Sequence, residues 1–182
     1  CISGGFCFAD FGTKPHAREE QMAKKIPIQL TLNGEERAEF VESGTTLLKA
    51  LREKFGDTSP KGGCHQGTCG SCAVLVDGEL RLSCLTLAET CEGANVETTA
   101  GLAAGSVLHP LQRAFLEGFA VQCGFCTPGM IMAAKALLDS KSNPTREEVV
   151  EAISGNICRC TGYEPIINAV LAASRANSHN AA

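Results

Sequence analysis

The chain is 182 residues long, room for one large domain or two small ones, and 44% of it is hydrophobic, enough for a packed core. A formal net charge of −4 gives no basis for nucleic-acid binding, and no apolar run reaches the ~18 residues of a membrane span. With no tryptophan and few aromatics, ligation of a cofactor stands beside packing as a source of folding energy. Residues 1–22 form a Gly/Phe-rich extension without helical or strand period. Phe6, Phe8 and Phe11 need somewhere to bury, which suits a docking arm for a partner subunit. A lipid-modified Cys1 is the alternative.

Strand signals follow. Ile26, Ile28, Leu30 and Leu32 alternate with other residues, Asn33-Gly34 supplies a tight turn, and a return strand runs through Arg37 to Val41. Leu47, Leu48, Leu51 and Phe55 recur at helical spacing, with Thr45 or Thr46 as N-cap and Gly56 as the terminating glycine. A second hairpin runs Ala73–Val76, Asp77-Gly78, Glu79–Ser83, and Val96–Thr99 adds a last strand. A helix lying across a small mixed sheet is an α+β arrangement, expected over residues 23–99.

Thr98 to Ser106, rich in Gly, Ala and Thr, looks like a joint. Residues 100–182 then read as helical. The first helix spans Pro110–Phe119, and the second opens with Thr127 as N-cap and Pro128 at the first position. Thr145-x-x-Glu148 is a capping box for a third helix reaching about Ser154. The fourth starts near Tyr163–Pro165 and carries Ile166, Ile167, Val170 and Leu171.

Eight of the eleven cysteines fall into two sets of four. The first is Cys64-x4-Cys69-x2-Cys72 followed by Cys84; the second is Cys123-x2-Cys126 followed by Cys158-x-Cys160. Four thiolates are what one [2Fe–2S] unit needs, two on each iron, and the first spacing is that of plant-type ferredoxins. An odd count in tight clusters suits disulfides poorly. Zinc is the stronger rival, above all at the second set, where CxxC with CxC also makes a zinc hook. Gly62, Gly63, Gly67 and Gly70 let the first loop wrap closely and aim its N–H groups at sulfur. His65 reads as a solvent-facing loop residue, and Cys91 as a small buried one. The second set sits at helix ends, and antiparallel helices would bring Cys123/Cys126 and Cys158/Cys160 to one end of a bundle.

Three segments carry a resemblance: Gly63-Cys64-His65-Gln66-Gly67-Thr68-Cys69-Gly70-Ser71-Cys72, Val121-Gln122-Cys123-Gly124-Phe125-Cys126-Thr127-Pro128-Gly129-Met130, and Gly155-Asn156-Ile157-Cys158-Arg159-Cys160-Thr161-Gly162-Tyr163. In order, spacing and flanks, about residues 24–174 resemble the small iron–sulfur subunit of the molybdenum hydroxylases. That family includes xanthine dehydrogenase, aldehyde oxidoreductase and carbon monoxide dehydrogenase. The resemblance implies a plant-ferredoxin-like β-grasp domain followed by an all-α four-helix bundle, each holding one [2Fe–2S] cluster. It implies an electron-transfer role with no catalytic residue in this chain. Electrons would pass from a molybdopterin-type molybdenum cofactor in a large partner subunit to Cys123, Cys126, Cys158 and Cys160. Cys64, Cys69, Cys72 and Cys84 would pass them on to FAD in a medium subunit or to a cytochrome. Gln122 and the backbone near Cys160 would contact the pterin. Arg159, between two ligands, either raises the potential of the bundle cluster or pairs with an acid at the subunit interface. The competing functions are a stand-alone two-cluster ferredoxin and a zinc-binding adaptor. With no twin-arginine or other export signal in the sequence, the expected location is cytoplasmic; some relatives are exported, which keeps periplasmic and membrane-associated placement open.

Overall fold

β1 (Lys25–Leu32) and β2 (Glu35–Glu42) pair antiparallel across a two-residue turn. Asn33 and Gly34 hold φ values of 52° and 85° there, the positive pair whose twist matches a hairpin. The structure, a computed structural model, describes residues 24–180, the side chains of 177–180 excepted. The expectation of a docking arm through Phe6, Phe8 and Phe11, and that of a modified Cys1, lie outside the described residues.

α1 (Leu47–Glu53) starts at Thr46, whose hydroxyl accepts the Lys49 N–H at 3.3 Å. Its apolar face lies on the sheet, where Leu47 and Leu51 bury with Ile28, Leu30, Val41, Val74 and Val96. Each such side chain contributes about 1.5–3 kcal/mol when removed from water. β3 (Ala73–Val76) and β4 (Glu79–Leu82) form the second hairpin, and β5 (Asn95–Glu97) completes a sheet ordered β2-β1-β5-β3-β4. Only β1 and β5 run parallel; the other neighbours are antiparallel. The last strand ends at Glu97, two residues short of the expected Thr99. Asn33 captures the Thr98 N–H at 2.8 Å, and the chain turns into a short 3-10 helix over Thr99–Leu102.

The second half forms α2 (Pro110–Glu117), α3 (Thr127–Ser140), α4 (Arg146–Ile153) and α5 (Glu164–Asn180) around Leu111, Phe115, Met130, Ile153, Ile166 and Val170. Thr145 and Glu148 form the expected capping box. Thr127 is not the N-cap of α3: the Cys126 carbonyl already accepts the Met130 N–H at 3.0 Å, so Cys126 caps the helix and Thr127 is its first residue. The turn before it, with Thr127 N–H donating to Gly124 C=O at 3.3 Å, runs straight into helical geometry.

The joint is packed. Thr99 Oγ1 donates to Pro128 C=O at 2.9 Å, and Gln112 Nε2 donates to Thr99 C=O at 3.0 Å. Met132 of α3 buries against Ala73 and Leu75 of β3. α3 therefore meets the bundle on one side and the sheet on the other, which explains its unbroken buried run from Gly129 to Ala134.

α2 begins with an unusual cap. His109 Nδ1 accepts the Leu111 N–H at 3.2 Å, while Gln112 Oε1 accepts the His109 N–H at 3.0 Å. Burial, and then the Lys135 charge, push this imidazole below its ordinary value. A pKa lowered by folding means that its contribution is complete above the unfolded value of about 6.5 and is lost as pH falls below it. Urea midpoints should therefore drop from pH 7 to pH 5 in the parent, and His109→Asn, a non-titrating cap, should flatten that slope. An equal slope in both would remove His109 as its source.

Candidate metal centres

The loop from Lys61 to Cys72 carries three thiols, and the second hairpin delivers the fourth. Asp77 and Gly78 turn that hairpin at φ values of 51° and 81°. Ser83, just past β4, donates its hydroxyl to Cys72 C=O at 2.6 Å, and this holds Cys84 beside Cys72. The four thiols stand in twos: Cys64 touches Cys69, and Cys72 touches Cys84. Cys72 and Cys84 are buried, while Cys64 and Cys69 are half-buried.

The expected N–H···S bonds are present. Gln66 and Thr68 donate backbone N–H groups to Cys64 Sγ at 3.5 and 3.3 Å. The Thr68 side chain, followed by the Gln66 N–H, holds the Cys64 thiol down at about 5, so this sulfur is poised as a thiolate ligand. Burial instead pushes Cys72 up to about 11, an anion that only a bound cation would favour there. His65 is exposed, as expected of a loop residue. Cys91 is buried away from both sets, 3.7 Å from Leu87 C=O.

At the bundle the two short motifs come together at the helix ends. Cys126 caps α3, and Cys158 and Cys160 lie between α4 and α5. Here too the thiols pair, Cys126 with Cys158 and Cys123 with Cys160. The first pair is buried and the second exposed. Burial pushes Cys126 up to about 12. Burial also opposes ionisation of Cys158, but the Thr161 hydroxyl at 3.1 Å and N–H at 3.4 Å outweigh it and lower that thiol. Tyr163 accepts the Cys158 N–H at 2.9 Å and so orients the loop. Contact with Cys123 raises Cys160.

Among the described residues no three His, Cys, Asp or Glu side chains gather round one point as a lone ion requires. Two facing pairs at each site are the donor set of a two-iron unit, two thiolates to each iron, and in this respect the residues present fit [2Fe–2S] ligation. Gln122 lies exposed next to the exposed Cys123/Cys160 pair. Arg159 is exposed at the same rim. Phe119, 84% exposed and held at φ 52°, projects just ahead of them.

The two cysteine loops are tied directly together: Ile157 N–H donates to Cys69 C=O at 2.9 Å, and Asn156 Nδ2 donates to Gly70 C=O at 3.0 Å in a buried position. Gly129 packs against the same segment, closely enough that a Cβ there would meet Gly70 C=O at 2.3 Å. Asn156 and Gly129 both stand inside conspicuous motifs, but nothing local marks them as ties across the chain.

Two family models match. Residues 30–103 match a "2Fe-2S iron-sulfur cluster binding domain" and residues 98–171 a "[2Fe-2S] binding domain". The small FeS subunit of nicotinate dehydrogenase from Eubacterium barkeri is 50% identical over 146 residues, covering 80% of this chain and 93% of that protein. The iron-sulfur-binding subunit of xanthine dehydrogenase from Escherichia coli O157:H7 is 46% identical over 151 residues, 82% of this chain and 94% of that one. The crystal structure of quinoline 2-oxidoreductase from Pseudomonas putida 86 superposes with a TM-score of 0.82 at 47% identity, covering 85% of this chain and 97% of the matched chain.

Proposed function

We propose, on the premise that the chain belongs to the family of small iron–sulfur subunits of the molybdenum hydroxylases, that its two thiol quartets each hold one [2Fe–2S] unit. The chain is the electron-transfer part of an oxidoreductase and supplies no catalytic group of its own. Each [2Fe–2S] unit, when bound, takes up and releases one electron at a time. Cys64 and Cys69 would share one iron and Cys72 and Cys84 the other. At the bundle, Cys126 would share with Cys158, and Cys123 with Cys160. The observation that carries this reading is the two-by-two facing of thiols at both sites.

This chain's residues do three things. The thiolates hold charge at fixed points, and the N–H groups of Gln66, Thr68 and Thr161 stabilise additional negative charge at sulfur. The buried pairs keep water from one side of each site. The Cys69–Ile157 hydrogen bond links the ligand loops, so the sites are joined by a short bonded path.

The exposed side of the bundle site, with Gln122, Cys160 and Arg159, would face the molybdenum cofactor of a large partner, with Gln122 and the backbone at Cys160 as the pterin contacts. The ferredoxin-like site would face FAD in a medium subunit or a cytochrome. Relatives such as the gamma subunit of caffeine dehydrogenase from Pseudomonas sp. are parts of multi-subunit enzymes, which supports larger partners here. The reading divides the chain into 1–22, 23–99 and 100–182, and the overlap of the two family matches at residues 98–103 supports that joint. No helix among the described residues is long and apolar enough to cross a membrane.

Iron and acid-labile sulfide analysis with EPR of the purified complex tests this. Two distinguishable [2Fe–2S] signals with molybdenum are expected. Zinc in the second set would remove the bundle half of the proposal.

A further inference from the structure

Between α1 and the first cysteine loop lies a crevice of about 350 Å³. Its wall carries Lys49, Arg52 and Lys61 against a single carboxylate, Glu53, in a chain whose formal net charge is −4. Arg52 and Lys61 are held in place without being neutralised. Arg52 Nη1 donates to Thr58 C=O and Pro60 C=O, both at 2.8 Å, and Lys61 Nζ donates to Thr58 C=O at 2.8 Å. Glu53 reaches only Lys49, at 4.0 Å, and both ends of that pair are largely exposed. Carbonyl bonds fix position but leave the full positive charge of Arg52 and Lys61 on the crevice lining.

The crevice also stands at the right place in the molecule. Its rim holds His65, the neighbour of Cys64, and Phe125, which lies between Cys123 and Cys126 and is 48% exposed. A surface seated here would therefore touch His65, on the loop that carries the half-buried thiol pair of the ferredoxin-like site. Positive charge with an aromatic edge at such a point selects a partner by charge complementarity, which acts mainly through orientation and rate of encounter.

The geometry points to this crevice as the docking point for a carboxylate-bearing loop on the protein that accepts electrons from the ferredoxin-like site. The inference rests on the reading of Cys64, Cys69, Cys72 and Cys84 as that site's ligands. It adds the chemistry of the acceptor's surface, namely acidic side chains that enter between Lys49 and Lys61 and displace water from Phe125.

The test uses the full iron-loaded chain with hexaglutamate as probe. Amide NMR signals of Thr46, Lys49 and Arg52 should shift on titration, and the binding should weaken as ionic strength rises through the range where the Debye length falls below about 10 Å. Lys49→Glu combined with Lys61→Glu should weaken it about tenfold or more. Arg175→Glu, an exposed change on α5, should leave it intact. Lys49→Glu alone, which touches no backbone carbonyl, should fall between parent and double variant and guards against misfolding of the loop. Shifts that persist in the double variant, equal shifts with inorganic phosphate, or no shifts in the parent would each overturn the proposal. The EPR signal of the ferredoxin-like site separates the two readings. A chain lacking that signal but still binding the peptide would count against the cluster, while an iron-loaded chain indifferent to the peptide would count against the crevice.

Discussion

Cys126→Ala is expected to empty the bundle site, halve the iron and acid-labile sulfide of the chain, and stop electron delivery from molybdenum while leaving the EPR signal of the ferredoxin-like site largely unchanged. The reason is positional. Cys126 is the buried partner of Cys158 and the N-cap of α3, so its loss would remove one of the two thiolates assigned to one iron at the buried side of the site. The ferredoxin-like site takes all its proposed ligands from residues 64–84 and shares none with the bundle. Iron content equal to the parent's, or undiminished turnover, would overturn the assignment of Cys126.

Gly70→Ala is the second large effect. Gly70 sits at φ 69°, where an alanine costs about 1–2 kcal/mol. A Cβ there would also approach Asn156 Nδ2 at 2.5 Å and Gly155 C=O at 2.6 Å. Relief requires the Asn156–Gly70 bond or the neighbouring backbone to move, and forced overpacking costs about 1–3 kcal/mol. The sum, about 2–5 kcal/mol, should appear as a clear fall in the melting temperature of the iron-loaded chain. The same displacement pulls the ligand loops apart, so magnetic coupling between the two EPR signals should weaken. Gly129→Ala separates the two causes. Its backbone is helical, so alanine would favour α3 by about 1 kcal/mol, and the approaches to Gly70 C=O at 2.3 Å, Ser71 Cα at 3.0 Å and Asn156 Nδ2 at 3.1 Å oppose it. Stability at or above the parent's in Gly129→Ala would mean that the loops are not pressed together there.

Much of the molecule was legible because its determinants are local. Asn33-Gly34 and Asp77-Gly78 define hairpins through the φ values those residues tolerate, and Thr46 and Thr145 start helices by capping N–H groups three positions on. The two cysteine sets announced themselves by spacing. The differences are of one or two residues: at α3 the local turn from Gly124 makes Cys126 rather than Thr127 the N-cap, and elsewhere a distant group intervenes. Thr98 left the strand because Asn33, 65 positions away, captured its N–H. The joint read as a simple connector because the Thr99–Pro128 and Met132–Leu75 contacts that lock it lie far apart in sequence.

The amino-acid order alone determined which elements form, which cysteines cluster and which family they resemble, because each of those depends on residues within a few positions of one another. Only the packing of α3 between bundle and sheet decided that Cys126 faces Cys158 rather than Cys160, that one thiol pair at each site stays more open than the other, and that Asn156 reaches Gly70 across 86 positions. Those relations follow from where whole helices come to rest once their apolar faces leave water, and no short window of sequence contains that information.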